Sequence, residues 1–459
     1  MADAVDLVVL GGGPGGYAAA LYGASAGLRI ALVEEDVVGG TCLHRGCIPA
    51  KALLQTAEVL RAVRSGADFG VIAGEPALDL TVAQSRKAEV VGRLTKGLSG
   101  LLDRRTVTVV PGRGRLAADG RAVEVTDGTG LRGEHVLLAT GSTPRSLDAP
   151  GLAFDGTRVL SSDHLLAIDT VPDHVVVVGG GAIGCEFASL LSDFGARVTL
   201  LEAAERILPG VDAEVAKTVT RSFTRRGITV VTGAAVTGDD GSTLGYVASG
   251  TEHRVAAELI VVAVGRQPRS ADIGLEAVGV EVAASGHVAV DPWLRTSVPG
   301  VFAVGDLVAT PQLAHVAFAE AITAVRTMLG EDPVPVDYDR VPWGIYCHPE
   351  VAFCGLTEEA ARTRGHDVVT SVHRWGGNSR ALIVGETDGV CKIVADRDGA
   401  LLGVHLAGPW ATELVAEAQL ALNWDATAAD VGALLHAHPT LSELFGESVL
   451  ALTGRSLHA

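Results

Sequence analysis

Short apolar runs that end at glycine recur along the chain and predict buried parallel strands. The first run, VDLVVL at 5–10, precedes the turn GGGPGG, an alanine-rich helix expected from Tyr17 to about Ala26, and a second strand, RIALVEE. Continuous apolar runs of this length are typical of strands that are covered on both faces. The same order of strand, glycine turn, helix, strand and acidic residue returns at 174–203. The pattern therefore predicts two βαβ units.

Three further apolar runs end at glycine, and the pattern changes after about residue 340. The three runs are EHVLLATGS, AELIVVAVGR and GVFAVGD. Beyond residue 340, GVCKIVADRDGALLGVHLAG predicts two antiparallel strands joined by an Asp-Gly turn, and ATELVAEAQLALNW predicts an amphipathic helix. We therefore expect loose domain boundaries near residues 148, 270 and 340.

Composition narrows the class of protein. The chain has 459 residues, 57 of them glycine, and a formal net charge of −18. This length suggests about three domains or a few more, and the acidic balance argues against nucleic acid as a partner. The N-terminal segment MADAVDLVVL lacks the basic region and long apolar core of a signal peptide. No apolar run approaches the roughly 20 residues of a membrane helix, so we expect a cytoplasmic protein without a membrane segment.

The two glycine-rich turns have the spacing of dinucleotide-binding sites. A lone GxGxxG is weak evidence because glycine is common here, but each copy follows a strand and opens a helix. In the first copy, Gly11 makes the turn, Gly13 lets the backbone approach a pyrophosphate, and Gly16 packs helix against strand. Glu34, 23 residues after Gly11, is expected to accept hydrogen bonds from a ribose.

The second copy repeats each role with Gly179, Gly181, Gly184 and Glu202, and the glutamate again comes 23 positions after the first glycine. Two such sites imply two dinucleotides, one of which we expect to be a flavin. A carboxylate at Glu202 repels a 2′-phosphate, which favours NAD over NADP. Arg206 weakens this inference slightly, although a solvated or locally paired arginine is the favoured interpretation.

Cys42 and Cys47 leave three kinds of site open: a structural disulfide, a metal site or a redox centre. Zinc sites usually show two CxxC pairs, and the other four cysteines are scattered. In a regular helix, Cα atoms five residues apart lie roughly 8–9 Å from each other, whereas a disulfide allows less than about 7 Å. A bond would require a distorted helix start, which Gly46 and Pro49 permit. Because such a bond tends to be reducible, the redox interpretation is favoured.

The segment HAHPTLSE contains a candidate base. His438 precedes Pro439 and is therefore expected in an extended or turning segment, where Glu443 can hold its imidazole in one tautomer. A dithiol reaction needs such a base, because a thiol of pKa about 8.5 is mostly protonated at neutral pH. Lys51, one turn after Cys47, is either a surface lysine or a residue beside the flavin, and its position favours the second role.

Together these segments resemble those of the dihydrolipoamide dehydrogenases, within the flavin-dependent pyridine nucleotide-disulfide oxidoreductases. The resemblance covers essentially the whole chain, and its most specific parts are GGTCLHRGCIPAKALL and HAHPTLSE. Two segments depart from common family spellings: LHRGC replaces LNVGC, and HRWGGNSRALIVGE at 373–386 is unusual. These departures bear on the preference for a partner complex and not on the reaction.

The resemblance implies an α/β protein with two Rossmann-like dinucleotide-binding domains, a central domain and a C-terminal α+β dimerisation domain. The expected ranges are 1–148 for FAD, 149–270 for NAD, 271–340 for the central domain and 341–459 for dimerisation. It further implies a homodimer with FAD and NAD as cofactors and no metal. The expected substrate is a lipoylated acyltransferase of a 2-oxo-acid dehydrogenase complex, or the H-protein of glycine cleavage.

The resemblance also assigns roles to the redox residues. Cys47 is expected to lie against the flavin as the charge-transfer thiolate, and Cys42 is expected to exchange with substrate. Lys51 and Glu186 are expected to form an ion pair near the flavin N5. Electrons are then expected to pass from dihydrolipoamide to the Cys42–Cys47 disulfide, to FAD and finally to NAD.

The remaining implied roles concern the base and the cofactor contacts. His438, oriented by Glu443, is expected to act on the thiols of the second subunit, and Asp306 is expected to bind the ribityl chain. The other expected cofactor contacts are Gly11, Gly13, Pro14, Gly15, Gly16, Glu34, Gly40, Thr41, Lys51, Gly112, Thr140, Gly141, Ser142, Ala314, His315, Gly179, Gly181, Ala182, Ile183, Gly184, Glu202, Val236 and Gly265.

Two alternative functions stay open. One is a related disulfide reductase for a low-molecular-weight thiol, which comparison of lipoamide with other disulfides would separate. The other is a catalytically minor subunit that mainly docks onto an acyltransferase core. The presence of Cys42, Cys47, His438 and Glu443 together argues against the second.

Overall fold

The computed structural model describes residues 5–458. The strands are β1 (Val5–Leu10), β2 (Ile30–Glu34), β3 (Thr108–Pro111), β4 (Gly114–Leu116), β5 (Ala122–Val125), β6 (Gly130–Leu138), β7 (Ser142–Pro144), β8 (Val159–Leu160), β9 (His174–Val178), β10 (Arg197–Leu201), β11 (Thr229–Val231), β12 (Ala235–Asp239), β13 (Thr243–Ala248), β14 (Thr251–Ala256), β15 (Leu259–Val262), β16 (Arg266–Pro268), β17 (Val301–Ala303), β18 (Trp343–Ile345), β19 (Val351–Gly355), β20 (Val368–Arg374), β21 (Val390–Asp396) and β22 (Leu401–Ala407).

The α-helices are α1 (Pro14–Ser25), α2 (Gly40–His44), α3 (Cys47–Arg64), α4 (Leu80–Arg104), α5 (Ser162–Leu165), α6 (Ala182–Asp193), α7 (Ala213–Arg225), α8 (Leu275–Val278), α9 (Ala314–Met328), α10 (Glu358–Thr363), α11 (Ser379–Val384), α12 (Ala411–Asn423), α13 (Ala428–Gly432) and α14 (Glu443–Leu452).

The elements form two compact units. The first unit comprises the chain up to Leu53 together with Thr81–Arg145 and Arg266–Tyr338, and the second comprises Leu54–Leu80, Ser146–Gly265 and the chain from Asp339 onward. The C-terminal part of the sequence thus clusters with the second glycine-turn segment, and the segment after residue 266 clusters with the first.

The first unit is built on a seven-stranded sheet with the order β3-β2-β1-β6-β5-β4, in which β17 also pairs with β6. The strands β3, β2, β1, β6 and β17 are parallel. Alternate residues of β1 face opposite sides: Leu7 and Val9 belong to one apolar cluster, and Val8 and Leu10 belong to another. Burial on both faces explains why this strand is a continuous apolar run.

The second unit contains a parallel sheet with the order β11-β10-β9-β15-β8, a three-stranded sheet β12-β13-β14, and an antiparallel sheet with the order β18-β19-β22-β21-β20. The Asp-Gly turn predicted after β21 joins it to its antiparallel neighbour β22. Helices α12 and α14 cover this last sheet, and Val415, Leu422, Phe445 and Val449 join its core. A mostly parallel α/β sheet in the first unit, a parallel one in the second and a C-terminal α+β layer confirm the predicted fold class.

Two local predictions need correction. The first helix begins at Pro14 and not at Tyr17, because Gly13 has extended backbone and proline is tolerated in the first turn. The cysteine segment forms two helices and not one distorted helix start. Helix α2 ends at His44, α3 begins at Cys47, and Pro49 stands in its first turn, where a missing N–H costs nothing.

Candidate redox and dinucleotide-binding sites

Of the three GxGxxG glycines in the first turn, only the middle one, Gly13, has open space where a side chain would be. Gly11 has φ +105°, and a Cβ there would lie 2.3 Å from the carbonyl oxygen of Ala139. A Cβ on Gly16 would lie 1.8 Å from the carbonyl oxygen of Gly11, so helix α1 packs directly on the turn. A Cβ on Gly13 would meet nothing closer than the Cα of Gly40, at 3.9 Å. Gly13 is therefore where a ligand can approach the backbone.

Glu34, at the end of β2, is held against this turn. Its carboxylate accepts the N–H of Gly12 at 2.6 Å and the N–H of Asp36 at 2.9 Å. Burial raises the pKa of Glu34, and the bond from Gly12 opposes that rise. The carbonyl of Glu34 also accepts the N–H of Gly112 at 2.8 Å, which brings this predicted contact to the same place.

The second glycine turn has the same geometry in the other unit. A Cβ on Gly179 would lie 2.5 Å from the carbonyl oxygen of Ala263, and one on Gly184 would lie 1.8 Å from that of Gly179. Gly181 has open space within 4 Å. Glu202 accepts the N–H of Gly180 at 2.6 Å and the N–H of Ala204 at 2.7 Å.

The two turns therefore fit a dinucleotide by the same test. In each turn, a Cβ on the first or the last glycine would clash with backbone, whereas a Cβ on the middle glycine would have open space. A helix begins directly after the middle glycine. The N-terminus of that helix presents unpaired N–H groups and the positive end of its dipole to a diphosphate. Arg206 is locally paired, with its guanidinium 3.2 Å from Glu359, as favoured above.

A polar cluster follows the strands beside the first turn. Ser142 donates to Asp306 at 2.5 Å, and Arg266 donates to Ser142 at 2.7 Å. Thr140 donates to the carbonyl of Arg269 at 2.8 Å, next to Gly141 with φ +71°. The sheet thus brings the predicted residues Thr140, Gly141, Ser142 and Asp306 together.

Glu320 is a residue that sequence reasoning missed. It is fully buried on α9, and its carboxylate accepts the N–H of Gly305 at 2.6 Å and the hydroxyls of Thr310 and Tyr338 at 2.7 and 3.0 Å. Burial raises the pKa of Glu320. It fixes the turn that carries Asp306, and the only signal in the sequence was one glutamate within an apolar helix.

The cysteine segment is joined to the first glycine turn through backbone. The N–H of Gly39 donates to the carbonyl of Gly12 at 2.8 Å. Gly40 has φ +56°, and a Cβ on it would lie 2.6 Å from the Cα of Gly13. Helix α2, which carries Cys42, therefore starts in contact with the residue that faces the open dinucleotide space.

The two predicted redox cysteines are thiols in this structure and lie within hydrogen-bond reach. The hydrogen bond to Cys47 raises the pKa of Cys42 well above its ordinary value, burial raises it further, and Lys51 acts in the opposite direction. Cys42 is half-buried and Cys47 is exposed. The raised pKa means that Cys42 keeps its proton at neutral pH and needs a base to become a nucleophile.

Tyr17 is a second residue that sequence reasoning missed near the thiols. Burial raises the pKa of its phenol to about 12, and Cys42 and Cys47 contribute to that rise. Its ring packs against Phe318 of α9 with centroids 5.7 Å apart. Tyr17 therefore stays neutral at physiological pH, near enough to the two thiols to be influenced by their charge.

The predicted base and its partner are in contact. The Nδ1 atom of His438 lies 2.9 Å from the Oε1 atom of Glu443, and the imidazole side chain is 70% exposed. Burial raises the pKa of Glu443, but the N–H of Thr440 and the imidazole outweigh burial and lower it. With Glu443 ionised, Nδ1 carries the hydrogen and Nε2 is left as the acceptor that faces solvent.

The other predicted residues lie mainly at helix starts and after strands. Glu186, on α6, is buried and accepts the N–H of Tyr346 at 2.9 Å. Lys51 and Glu186 belong to different units, so their ion pair stays a prediction.

Seven of the predicted cofactor contacts lie at helix starts: Pro14, Gly15, Thr41, Ala182, Ile183, Ala314 and His315. Gly265 has φ +118° after β15, and Val236, in β12, packs on the apolar cluster that contains Val178.

Two family models match the chain. Residues 5–321 match the pyridine nucleotide-disulphide oxidoreductase model, and residues 341–449 match the dimerisation domain of the same family. The chain belongs to the pyridine nucleotide-disulphide oxidoreductases. Members of this family are oxidoreductases that use FAD and NAD, which the two glycine turns accommodate.

Individual relatives span the same length. The chain is 42% identical to a dihydrolipoyl dehydrogenase of Bacillus subtilis and 40% identical to one of Zymomonas mobilis, over all of each chain. The fold is similar to that of LpdA from Mycobacterium tuberculosis, with a TM-score of 0.89, 26% identity, and coverage of 97% of this chain and 99% of that one. The likeness therefore extends over both units.

The dimerisation domain supports a homodimer. Large apolar side chains of this domain are exposed. They include Trp410, Leu420, Trp424, Leu434 and Leu435, of which Leu435 is 100% exposed. Among residues 5–458, no helix is both long enough and apolar enough to cross a membrane.

Proposed function

We propose that the chain oxidises protein-bound dihydrolipoamide and reduces NAD+ to NADH. The observation that carries this proposal is the backbone contact between Gly40 and Gly13, because it puts a CxxxxC dithiol beside a dinucleotide turn. Full-length relatives at 42% and 40% identity are dihydrolipoyl dehydrogenases, which favours this substrate over a low-molecular-weight thiol.

In the proposed reaction, His438 takes a proton from a substrate thiol, and the resulting thiolate attacks Cys42 of the Cys42–Cys47 disulfide. Cys47 leaves as a thiolate, and the second substrate thiol displaces Cys42 to close the lipoamide ring. The raised pKa of Cys42 keeps the proton on this sulfur once it is displaced. The turn at Gly13 with Glu34 would hold FAD, and the turn at Gly181 with Glu202 would hold NAD+; the flavin would supply two-electron transfer between the dithiol and the nicotinamide. The balance is dihydrolipoamide plus NAD+ to lipoamide, NADH and a proton.

The remaining roles belong to the same proposal. Lys51 and Glu186 form an ion pair near the flavin, Asp306 binds the ribityl chain, and Glu202 binds the ribose of NAD. The substrate is a lipoylated acyltransferase or an H-protein, and the enzyme works in the cytoplasm.

The test is a steady-state assay of NADH formation from dihydrolipoamide, with NADH-dependent ferricyanide reduction as a second activity that needs no thiol. Cys42→Ser should abolish the first and preserve the second. Cys354→Ser is the matched control, because Cys354 is a buried cysteine that donates to the carbonyl of Arg340 and a serine can replace that bond. Full dihydrolipoamide turnover by Cys42→Ser, or a strong preference for another disulfide over lipoamide, would refute the proposal.

A further inference from the structure

The two asparagines of the 459-residue chain have different surroundings. Asn423 is exposed at the end of α12, and its side-chain amide donates to the carbonyl of Gln419 one turn earlier. Asn378 is only 8% exposed and lies in the unusual segment 373–386. Its amide joins two segments that are 62 residues apart.

Both ends of the Asn378 amide are used. Its Oδ1 atom accepts the N–H of Ala381 at 3.0 Å and caps α11. Its Nδ2 atom donates to the carbonyl of Thr440 at 3.0 Å. A side chain that satisfies a helix start and a distant carbonyl at once fixes both.

The segment that carries Asn378 is anchored in the core. The N–H of Asn378 donates to the carbonyl of Trp375 at 2.9 Å, and Trp375 is fully buried. A Cβ on Gly389 would lie 2.5 Å from the Trp375 ring, and one on Gly408 would lie 2.6 Å from it. The Trp375 ring therefore has little room to move, and the backbone next to Asn378 is held in place for the contact with Thr440.

Thr440 connects Asn378 to His438, the proposed base, through Glu443. Its N–H donates to Oε2 of Glu443 at 2.8 Å, and its hydroxyl donates to the carbonyl of Ala437 at 2.7 Å. The other oxygen of Glu443 lies 2.9 Å from Nδ1 of His438. Asn378, Thr440, Glu443 and His438 thus form one continuous chain of hydrogen bonds.

The loop 436–442 has a second anchor at its other end. His436 lies 2.8 Å from Glu417 of α12, and its side chain is only 12% exposed. A Cβ on Gly446 would lie 2.5 Å from the His436 ring. Leu441 of the same loop is also buried in the C-terminal core, with 5% exposure. Loss of Asn378 therefore frees Thr440 from its side-chain contact and leaves the loop held at His436 and Leu441.

We propose that Asn378 is a positioning residue for the thiol reaction, acting on His438 through Thr440 and Glu443 without touching substrate. The inference rests on the proposed function, since it assumes that His438 is the base.

The decisive variant is Asn378→Asp. A carboxylate keeps the cap on Ala381, because aspartate is as good an N-cap as asparagine, but it turns an oxygen toward the carbonyl of Thr440 in place of a donor. We expect dihydrolipoamide oxidation to slow by about 10-fold or more, because small misplacements of a catalytic group are costly. The pH profile of kcat/KM should change on the limb that reports the base, while ferricyanide reduction stays within about twofold of native.

Three comparisons complete the experiment. Asn423→Asp makes the same chemical change at an exposed helix end and should be native in every assay. Asn378→Ser keeps a capping hydroxyl without the reach to Thr440 and should behave like Asn378→Asp. If Asn378→Asp keeps the native rate and pH profile while His438→Ala is slow, the inference is wrong and the proposed function stands.

Two other outcomes also decide the matter. If Asn378→Asp loses both activities in equal measure together with its melting temperature, Asn378 is merely structural and the inference fails. If His438→Ala itself retains full dihydrolipoamide oxidation, the proposed function fails and the inference falls with it.

Discussion

Glu34 and Glu202 occupy equivalent positions in the two glycine turns, where we expect each to face a nucleotide. Each carboxylate accepts the N–H of the second residue of its glycine turn at 2.6 Å, so it shapes the turn as well as facing the ligand space. The N–H groups of Gly180 and Ala204 hold the Glu202 carboxylate at a defined point. Like charges forced together cost several kcal/mol, so we expect this site to reject a 2′-phosphate.

Glu202→Gln should therefore narrow the preference for NAD over NADP by about 10-fold or more. The amide oxygen still accepts the N–H of Gly180, whereas the bond from the N–H of Ala204 and the repulsion of a 2′-phosphate are both lost. The measurement is the ratio of kcat/KM for the two cofactors, with the exposed neighbour Glu205→Gln as a control that leaves the ratio unchanged. Equal use of NADP by the native enzyme would contradict the role of Glu202.

At the scale of elements, the close approach of α2 to the first glycine turn sets where the thiols lie. A side chain at Gly40 would have to displace the Cα of Gly13, at 2.6 Å. Gly27 is a matched position, since its φ is also positive, at +90°, but an added Cβ would meet nothing within 4 Å. Substitution of Gly27 therefore tests backbone strain alone, whereas substitution of Gly40 tests backbone strain together with the contact to Gly13.

Gly40→Ala should weaken FAD retention and slow reduction by dihydrolipoamide, because α2 and its Cys42 must move off the turn. Gly27→Ala should cost about 1–2 kcal/mol of stability from left-handed strain alone and leave both properties near native. Bound FAD per chain after gel filtration, together with the rate of reduction, measures the difference. Equal effects of the two variants would show that the contact at Gly40 has no role beyond conformation.

The same elements show what the sequence can and cannot predict. Strand β1 and the turns at Gly11 and Gly179 follow from local periodicity and the special conformations of glycine, and the structure confirms them. The sequence does not predict the break between α2 and α3, because Gly46 and Pro49 signal a distortion without showing on which side of Cys47 a helix ends. The bond from Asn378 to Thr440 could not be found, since nothing in either segment specifies contact between residues 62 apart.

At the scale of the whole molecule, we expect the proposed reaction to need two chains. The chain contains the family's dimerisation domain, in which Trp424 and Leu435 are 76% and 100% exposed. His438 belongs to that domain and its imidazole is 70% exposed, whereas Cys42 belongs to the first unit. In an isologous dimer, a residue that crosses the interface builds two identical sites.

Mixed dimers test this arrangement directly. Cys42→Ser and His438→Ala homodimers should each be inactive or slowed at least about 10²-fold in dihydrolipoamide oxidation, the first for lack of a thiol and the second for lack of a base. In the heterodimer, the His438→Ala chain supplies Cys42 and the Cys42→Ser chain supplies His438, so one site is whole. Activity should return at about half the native rate per dimer, as one of two identical sites is restored. Differently tagged chains allow the heterodimer to be purified before the assay. A purified heterodimer without activity would exclude action of His438 on the thiols of the second chain.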